Sequence, residues 1–114
     1  MLVANPVSFL AQKASVHTKR NRSERAKDIL YIHDTFETFG ACLADLRAEW
    51  IKKIRLKLHT RSVRLVENAA GIFFGEMRDS VREASRIARD RALTPETIRG
   101  VCSLGFQQVY GSSD

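Results

Sequence analysis

Thr94-Pro95-Glu96-Thr97-Ile98-Arg99-Gly100-Val101-Cys102-Ser103-Leu104-Gly105-Phe106-Gln107-Gln108-Val109-Tyr110-Gly111 opens with the clearest helix start in the chain. Thr94 is a residue type whose side-chain oxygen caps the first free N–H groups of a helix. Pro95 follows at the first helical position, where its missing N–H costs nothing. Glu96 then lies near the positive end of the helix dipole. A helix is expected from here to about Tyr110, with Gly111 as its stop. Gly100 and Gly105 inside it each weaken it by roughly 1 kcal/mol relative to alanine, which points to close helix packing.

The same punctuation recurs upstream. Asn5-Pro6 starts a helix running to about Lys19, with Val7, Leu10, Ala14 and His17 on one face. A basic turn, Lys19-Arg20-Asn21-Arg22, follows. Asn21 and Glu24 have the spacing of a capping box, with Ser23 as a competing cap. The second helix is expected to reach Phe39, burying Ile29, Ile32 or His33, and Phe36, and Gly40 to end it in the left-handed conformation. A third helix spans about Ala41 to Leu58, with Leu43, Leu46, Trp50 and Ile54 on its apolar face. Its tail, Ile54-Arg55-Leu56-Lys57-Leu58, alternates like a short strand, but Leu and Lys are straight-chain helix formers. Thr60 is placed to cap a fourth helix carrying Val63, Val66, Ala69, Ala70 and Phe73. Gly75 then breaks the chain before a fifth, about Glu76 to Arg89, with Met77, Val81, Ala84 and Ala88 inward. No strand alternation bounded by hairpin turns occurs. The expected fold is all-α, a compact bundle of five or six short helices. One domain covers residues 1–111, and 112–114 form a frayed tail.

Composition bounds the function. The chain has 114 residues, an apolar fraction of 44% and a net charge of +6, with a sequence pI near 9.8. That charge favours anionic partners, namely nucleotides, nucleic acid or an acidic protein face. No run of about 18 apolar residues exists to span a membrane. Met1 to Gln12 lacks the basic start and cleavage site of a signal peptide, so a cytoplasmic location is expected. Cys42 and Cys102 have no Cys or His at metal-ligand spacing, and both fit apolar helical patterns as small core hydrophobes. No metal site and no cofactor is expected.

A complete catalytic set is also missing. The sequence has no phosphate-cradling glycine loop, no nucleophile elbow and no paired Cys/His arrangement. His17, His33 and His59 are scattered, and Asp34, next to His33 in sequence, is expected to point away from it. No catalytic residue is assigned.

The richest segment runs from Lys13 to Asp34. An antiparallel pair of first helices would bring Lys13, Arg20 and Arg25 together near their shared turn. Arginine suits bidentate phosphate contacts and lysine a point charge, so a phosphate site is one reading. The other is a solvated turn with surface ion pairs such as Glu24 with Lys27 or Asp28 with Arg25.

Two stretches here, Asn5-Pro6-Val7-Ser8-Phe9-Leu10-Ala11-Gln12-Lys13 and Arg25-Ala26-Lys27-Asp28-Ile29-Leu30-Tyr31-Ile32-His33-Asp34, resemble a known family. They look like the segment after the catalytic core in bacterial nucleotidyltransferase-fold proteins of the abortive-infection toxin type (AbiEii/AbiGii-like). The resemblance covers about the first third of the chain. It implies that Lys13 contacts nucleotide phosphates and that Arg25, Lys27 and Asp28 lie beside the nucleotide. Tyr31 stands where the family usually has a second acid, and the next acid is Asp34. The family's metal centre, a Gly-Ser motif followed by Asp-x-Asp on a strand, has no counterpart. Gly111-Ser112 is the single Gly-Ser and has no Asp-x-Asp behind it. Two-metal phosphoryl chemistry needs those carboxylates. The chain is therefore expected to act as a helical lobe without transferase activity, partnered by a catalytic domain outside it.

A second basic cluster holds Arg47, Lys52, Lys53, Arg55, Lys57, Arg61 and Arg64, opposed by Glu49 and Glu67. A row of this kind can track a nucleic-acid backbone. Trp50 fits the core face, so base stacking is not indicated. A third row, Arg78, Arg82, Arg86 and Arg89, is interleaved with Asp79, Glu83 and Asp90 and reads as a solvated face. Three functions stay open: a nucleotidyltransferase-like lobe retaining nucleotide binding, a basic nucleic-acid binder, and an interaction protein that self-associates or docks a partner.

Overall fold

The computed structural model describes residues 5–111, so the expected tail at 112–114 lies outside the described residues. Seven α-helices follow one another: α1 (Pro6–Val16), α2 (Arg22–Thr38), α3 (Leu43–Glu49), α4 (Thr60–Glu67), α5 (Ala69–Phe74), α6 (Asp79–Ile87) and α7 (Pro95–Tyr110). Short 3-10 turns at His17–Lys19, Gly40–Cys42 and Arg89–Arg91 join some of them. No strand occurs among the described residues. The protein is an all-α bundle of short helices.

The starts read from the sequence use the atoms expected of them. Asn5 Oδ1 accepts from the N–H groups of Val7 (3.0 Å) and Ser8 (3.2 Å). Asn21 and Glu24 form a reciprocal capping box, so Asn21 is the cap rather than Ser23. Thr94 Oγ1 accepts from the Thr97 N–H.

The boundaries differ in four places. Gly40 is not left-handed; α2 rolls through Phe39 into a 3-10 turn closed by the Cys42 N–H on the Phe39 carbonyl. Cys42 consequently sits in that turn, half-buried. Thr60 is the first helical residue of α4 and not its cap, because His59 Nδ1 accepts from the Arg61 N–H. The expected fourth helix is two. Asn68 ends α4 by sending both its backbone N–H and its side-chain amide to the Arg64 carbonyl, and it starts α5 by accepting from Ile72. Finally, α6 begins at Asp79, since Arg78 is extended; Met77 packs on the core from the linker.

α3 continues without interruption through a π turn, Trp50–Ile54, into Arg55–Lys57. The ambiguous alternating tail is therefore helical. Trp50 and Ile54, four residues apart, are both buried, as the apolar face read from the sequence requires.

α7 lies at the centre of the bundle and touches α2, α3, α4, α5 and α6. Ile98, Cys102, Gly105, Phe106, Val109 and Tyr110 are buried along it. Phe106 meets Phe36 edge-on at 5.3 Å and Phe74 stacked at 5.9 Å. Tyr110 meets Trp50 edge-on at 4.9 Å. Each such pair adds about 0.5–1.5 kcal/mol beyond the area it buries. The Tyr110 hydroxyl donates to the Val7 carbonyl at 2.7 Å, tying the last helix to the first. Burial pushes that hydroxyl's pKa well up, and it holds the Cys102 thiol up in the same way.

The two glycines inside α7 separate. A Cβ at Gly105 would stand 2.5 Å from the Phe36 ring, whereas one at Gly100 meets nothing within 4 Å. Close packing explains Gly105 only. Gly105→Ala is thus expected to destabilise by roughly 1–3 kcal/mol through overpacking. Gly100→Ala should stabilise by up to about 1 kcal/mol through helix propensity. Urea unfolding of the two variants checks the opposite signs.

Candidate functional site

Asp28 decides the chemistry around the α1–α2 turn. It sits one helical turn beyond the capping box, on the inner side of α2, and is only 1% exposed. A buried carboxylate must be paired. Lys13 Nζ from α1 reaches Asp28 Oδ1 at 3.0 Å. Arg20, from the turn, takes Asp28 with both arms, Nε to Oδ2 at 2.9 Å and Nη2 to Oδ1 at 3.3 Å. The hydrogen bond to Asp28 raises the Arg20 pKa, and Arg20 also pairs with Glu24 at 3.1 Å. The Lys13 ammonium additionally lies over Phe9 (5.5 Å) and Tyr31 (5.9 Å), within cation–π range.

Three of the five residues assigned to a phosphate site, Lys13, Arg20 and Asp28, therefore meet. Arg25 stands beside them in another role. Its Nε donates to the His17 carbonyl at 2.9 Å and its Nη2 to the Thr18 carbonyl at 2.6 Å, sealing the end of α1. Lys27 is exposed and takes no part. His17 is buried under Phe73, ring centroids 4.6 Å apart. Burial lowers its pKa, the Arg25 charge adds to this, and Asp28 opposes it.

A second polar cluster, in which His33 is buried and Asp34 and Arg91 are partly exposed, joins α2 to the turn before α7. His33 Nδ1 lies 3.0 Å from Asp34 Oδ1, so Asp34 turns back to the ring instead of away from it. Arg91 clasps the Asp34 carboxylate with two hydrogen bonds, 2.7 and 3.1 Å. Burial pushes the Asp34 pKa up, but the Arg91 and His33 hydrogen bonds outweigh it and hold the carboxyl below its ordinary range. The sequence gives no warning of Arg91, which is 57 residues away.

Arginines elsewhere are engaged by helix ends. Arg47 Nη1 donates to carbonyls at the end of α7, the nearest being Gly111 at 2.9 Å. Arg78 holds the Ile72 carbonyl and Arg99 the Gly75 carbonyl. Cations suit the negative end of the helix dipole. Arg82 pairs with Asp79 and Arg86 with Glu83 on α6, so that row is a solvated face.

The basic cluster divides accordingly. Arg47 leaves it for α7. Lys53 pairs with Glu49 (3.6 Å) and Arg55 with Glu67 (3.1 Å), and the latter contact ties the end of α4 back to the long helix. Lys52, Lys57, Arg61 and Arg64 are exposed and make no ion pair among the described residues. Residues 47–67 hold seven basic and two acidic side chains, a net +5 of the chain's +6. Residues 1–46 hold six against five, and residues 68–114 six against six. Lys19, Arg22, Lys27 and Arg89 are also exposed; the first three lie in a second basic stretch, residues 13–28, which holds six basic and two acidic side chains.

The exposed large apolar side chains are Tyr31, Ile51, Leu56, Ile72, Ile87 and Leu104, distributed over five helical segments. Single exposed apolar residues are normal on a protein surface. No group of three or more metal-ligating side chains occurs among the described residues. No helix among them is long and apolar enough to cross a membrane. No family model matches the chain, and neither does any curated protein or solved structure.

Removing one side of a buried ion pair leaves its partners uncompensated. Asp28→Asn is expected to cost roughly 2–4 kcal/mol of folding stability. Lys27→Ala, on the same helix but outside the cluster, should stay within about 0.5 kcal/mol of the wild type. Chemical unfolding of the two variants measures the contrast.

Proposed function

We propose that the chain is a basic helical module that binds the phosphate backbone of nucleic acid through the exposed end of α3 and through α4. One observation carries the reading: five of the six net positive charges lie in residues 47–67. Lys52, Lys57, Arg61 and Arg64 face solvent there without a carboxylate partner among the described residues. Unpaired cations release the counterions of a phosphate chain on contact, and that release drives sequence-independent binding. Affinity from this source needs no enzyme chemistry.

A second reading keeps the nucleotidyltransferase-like lobe. It is favoured by the meeting of Lys13, Arg20 and Asp28, three residues that a nucleotide site would use. Against it, both cations are already compensated by Asp28, so a nucleotide phosphate would compete with a buried carboxylate for them. Lys52, Lys57, Arg61 and Arg64 have no such competitor among the described residues, which favours the backbone-binding reading.

The position of the charge makes the proposal testable. Replacing Lys57 and Arg61 together with Gln should weaken binding to a mixed-sequence nucleic acid and lower the slope of log K against log salt by about two. The charge-matched control, Arg22→Gln with Lys27→Gln, removes two exposed cations from the α1–α2 region and should leave that slope unchanged. Fluorescence anisotropy over a salt series measures both. Equal losses in the two variants would mean that net charge alone, and not this face, governs binding.

A further inference from the structure

We infer that the α3–α4 face takes double-helical nucleic acid in preference to single strands. This rests on the backbone-binding reading and specifies its partner.

Proteins that hold single strands combine a basic groove with aromatic platforms on which successive bases stack. The face has the cations and, among the described residues, no row of aromatic rings. Its exposed large apolar side chains are Ile51 (47% exposed) and Leu56 (72% exposed), both aliphatic, and its one exposed ring is the small imidazole of His59, whose Nδ1 is held by the Arg61 N–H at the start of α4. Trp50, the aromatic residue of that segment, is 1% exposed and is held edge-on against Tyr110. The exposed tyrosine, Tyr31, belongs to the Lys13 cluster on α1 and α2. With a single imidazole and no second ring beside it, successive bases would gain little stacking here, and phosphate contacts would set most of the affinity.

Phosphate contacts favour the duplex. It presents one negative charge per roughly 1.7 Å of axis, denser than a lone strand, and it releases more counterions per contact. Rigidity acts in the same direction. Lys52 and Lys57 ride on one helical segment and Arg61 and Arg64 on another, and the Arg55–Glu67 ion pair bridges the two. A duplex already holds its phosphates in fixed rows. A flexible strand would lose conformational freedom to match these cations, without stacking to offset the loss.

The test measures binding of the full chain to a labelled mixed-sequence duplex and to each separated strand, as DNA and as RNA, over a salt series at fixed pH. The expected result is several-fold tighter binding to a duplex of either kind than to its strands. With all four cations engaged, the log K against log salt slope is about −3.6 on the duplex and about −2.8 on a strand. Replacing Lys52, Lys57, Arg61 and Arg64 with Gln should abolish both. Tighter binding to the single strands overturns the inference and leaves the backbone-binding reading standing. Binding to neither overturns both. Tighter binding to phosphatidylserine vesicles than to any duplex, lost on Leu56→Asp, overturns both by assigning the face to an anionic lipid surface.

Discussion

The buried carboxylate of Asp28 is the constraint on which the α1–α2 half of the bundle depends. An unpaired charge at 1% exposure would be untenable. Two cations from different elements, Lys13 on α1 and Arg20 in the turn, therefore converge on it. Their convergence fixes how α1 returns against α2, and Arg25 closes the same corner by holding the carbonyls of His17 and Thr18. Electrostatics here is first a matter of architecture. The corner is lined with basic residues because it must neutralise one acid and seal one helix end.

The same logic runs through the arginines of the bundle and leaves a remainder. Arg47, Arg78 and Arg99 stabilise carbonyls at the ends of helical segments, while Arg91 compensates Asp34. Once these engagements are set aside, Lys52, Lys57, Arg61 and Arg64 remain exposed without a carboxylate partner among the described residues at the end of α3 and on α4, as do Lys19, Arg22 and Lys27 around the α1–α2 turn. In the Trp50–Ile54 turn, Trp50 and Ile54 point inward while Ile51, Lys52 and Lys53 stay exposed. Core packing and surface charge are thus set by the same short stretch of helix.

Much of the fold was legible from local chemistry. Asn5, Asn21 and Thr94 cap where their types and spacing said they would, since capping depends on atoms two or three residues away. Three of the boundary misreadings share one cause. Gly40, Thr60 and the Asn68 break were decided by competing local hydrogen bonds of similar strength, between which residue type alone cannot choose. Gly100 and Gly105 look alike in sequence, and only the position of Phe36 tells them apart. For the candidate sites, the basic clusters were visible as composition. Which cations are engaged was not, because partners such as Asp34 with Arg91 or Arg47 with Gly111 lie 57 and 64 residues apart. Sequence therefore showed where charge is plentiful, and the fold determines where it is uncompensated.

The central claim is that phosphate ligands meet the α3–α4 face and not the Asp28 corner. Residue-resolved NMR decides it most directly, by following the amide signals of the whole chain as a short nucleic-acid duplex is added and, separately, a nucleoside triphosphate. The account predicts that the duplex shifts signals of residues 51–64, while Lys13, Arg20 and Asp28 keep theirs with either ligand. Saturable shifts centred on Lys13, Arg20 and Asp28, with residues 51–64 unmoved, would contradict it and return the nucleotide site to first place.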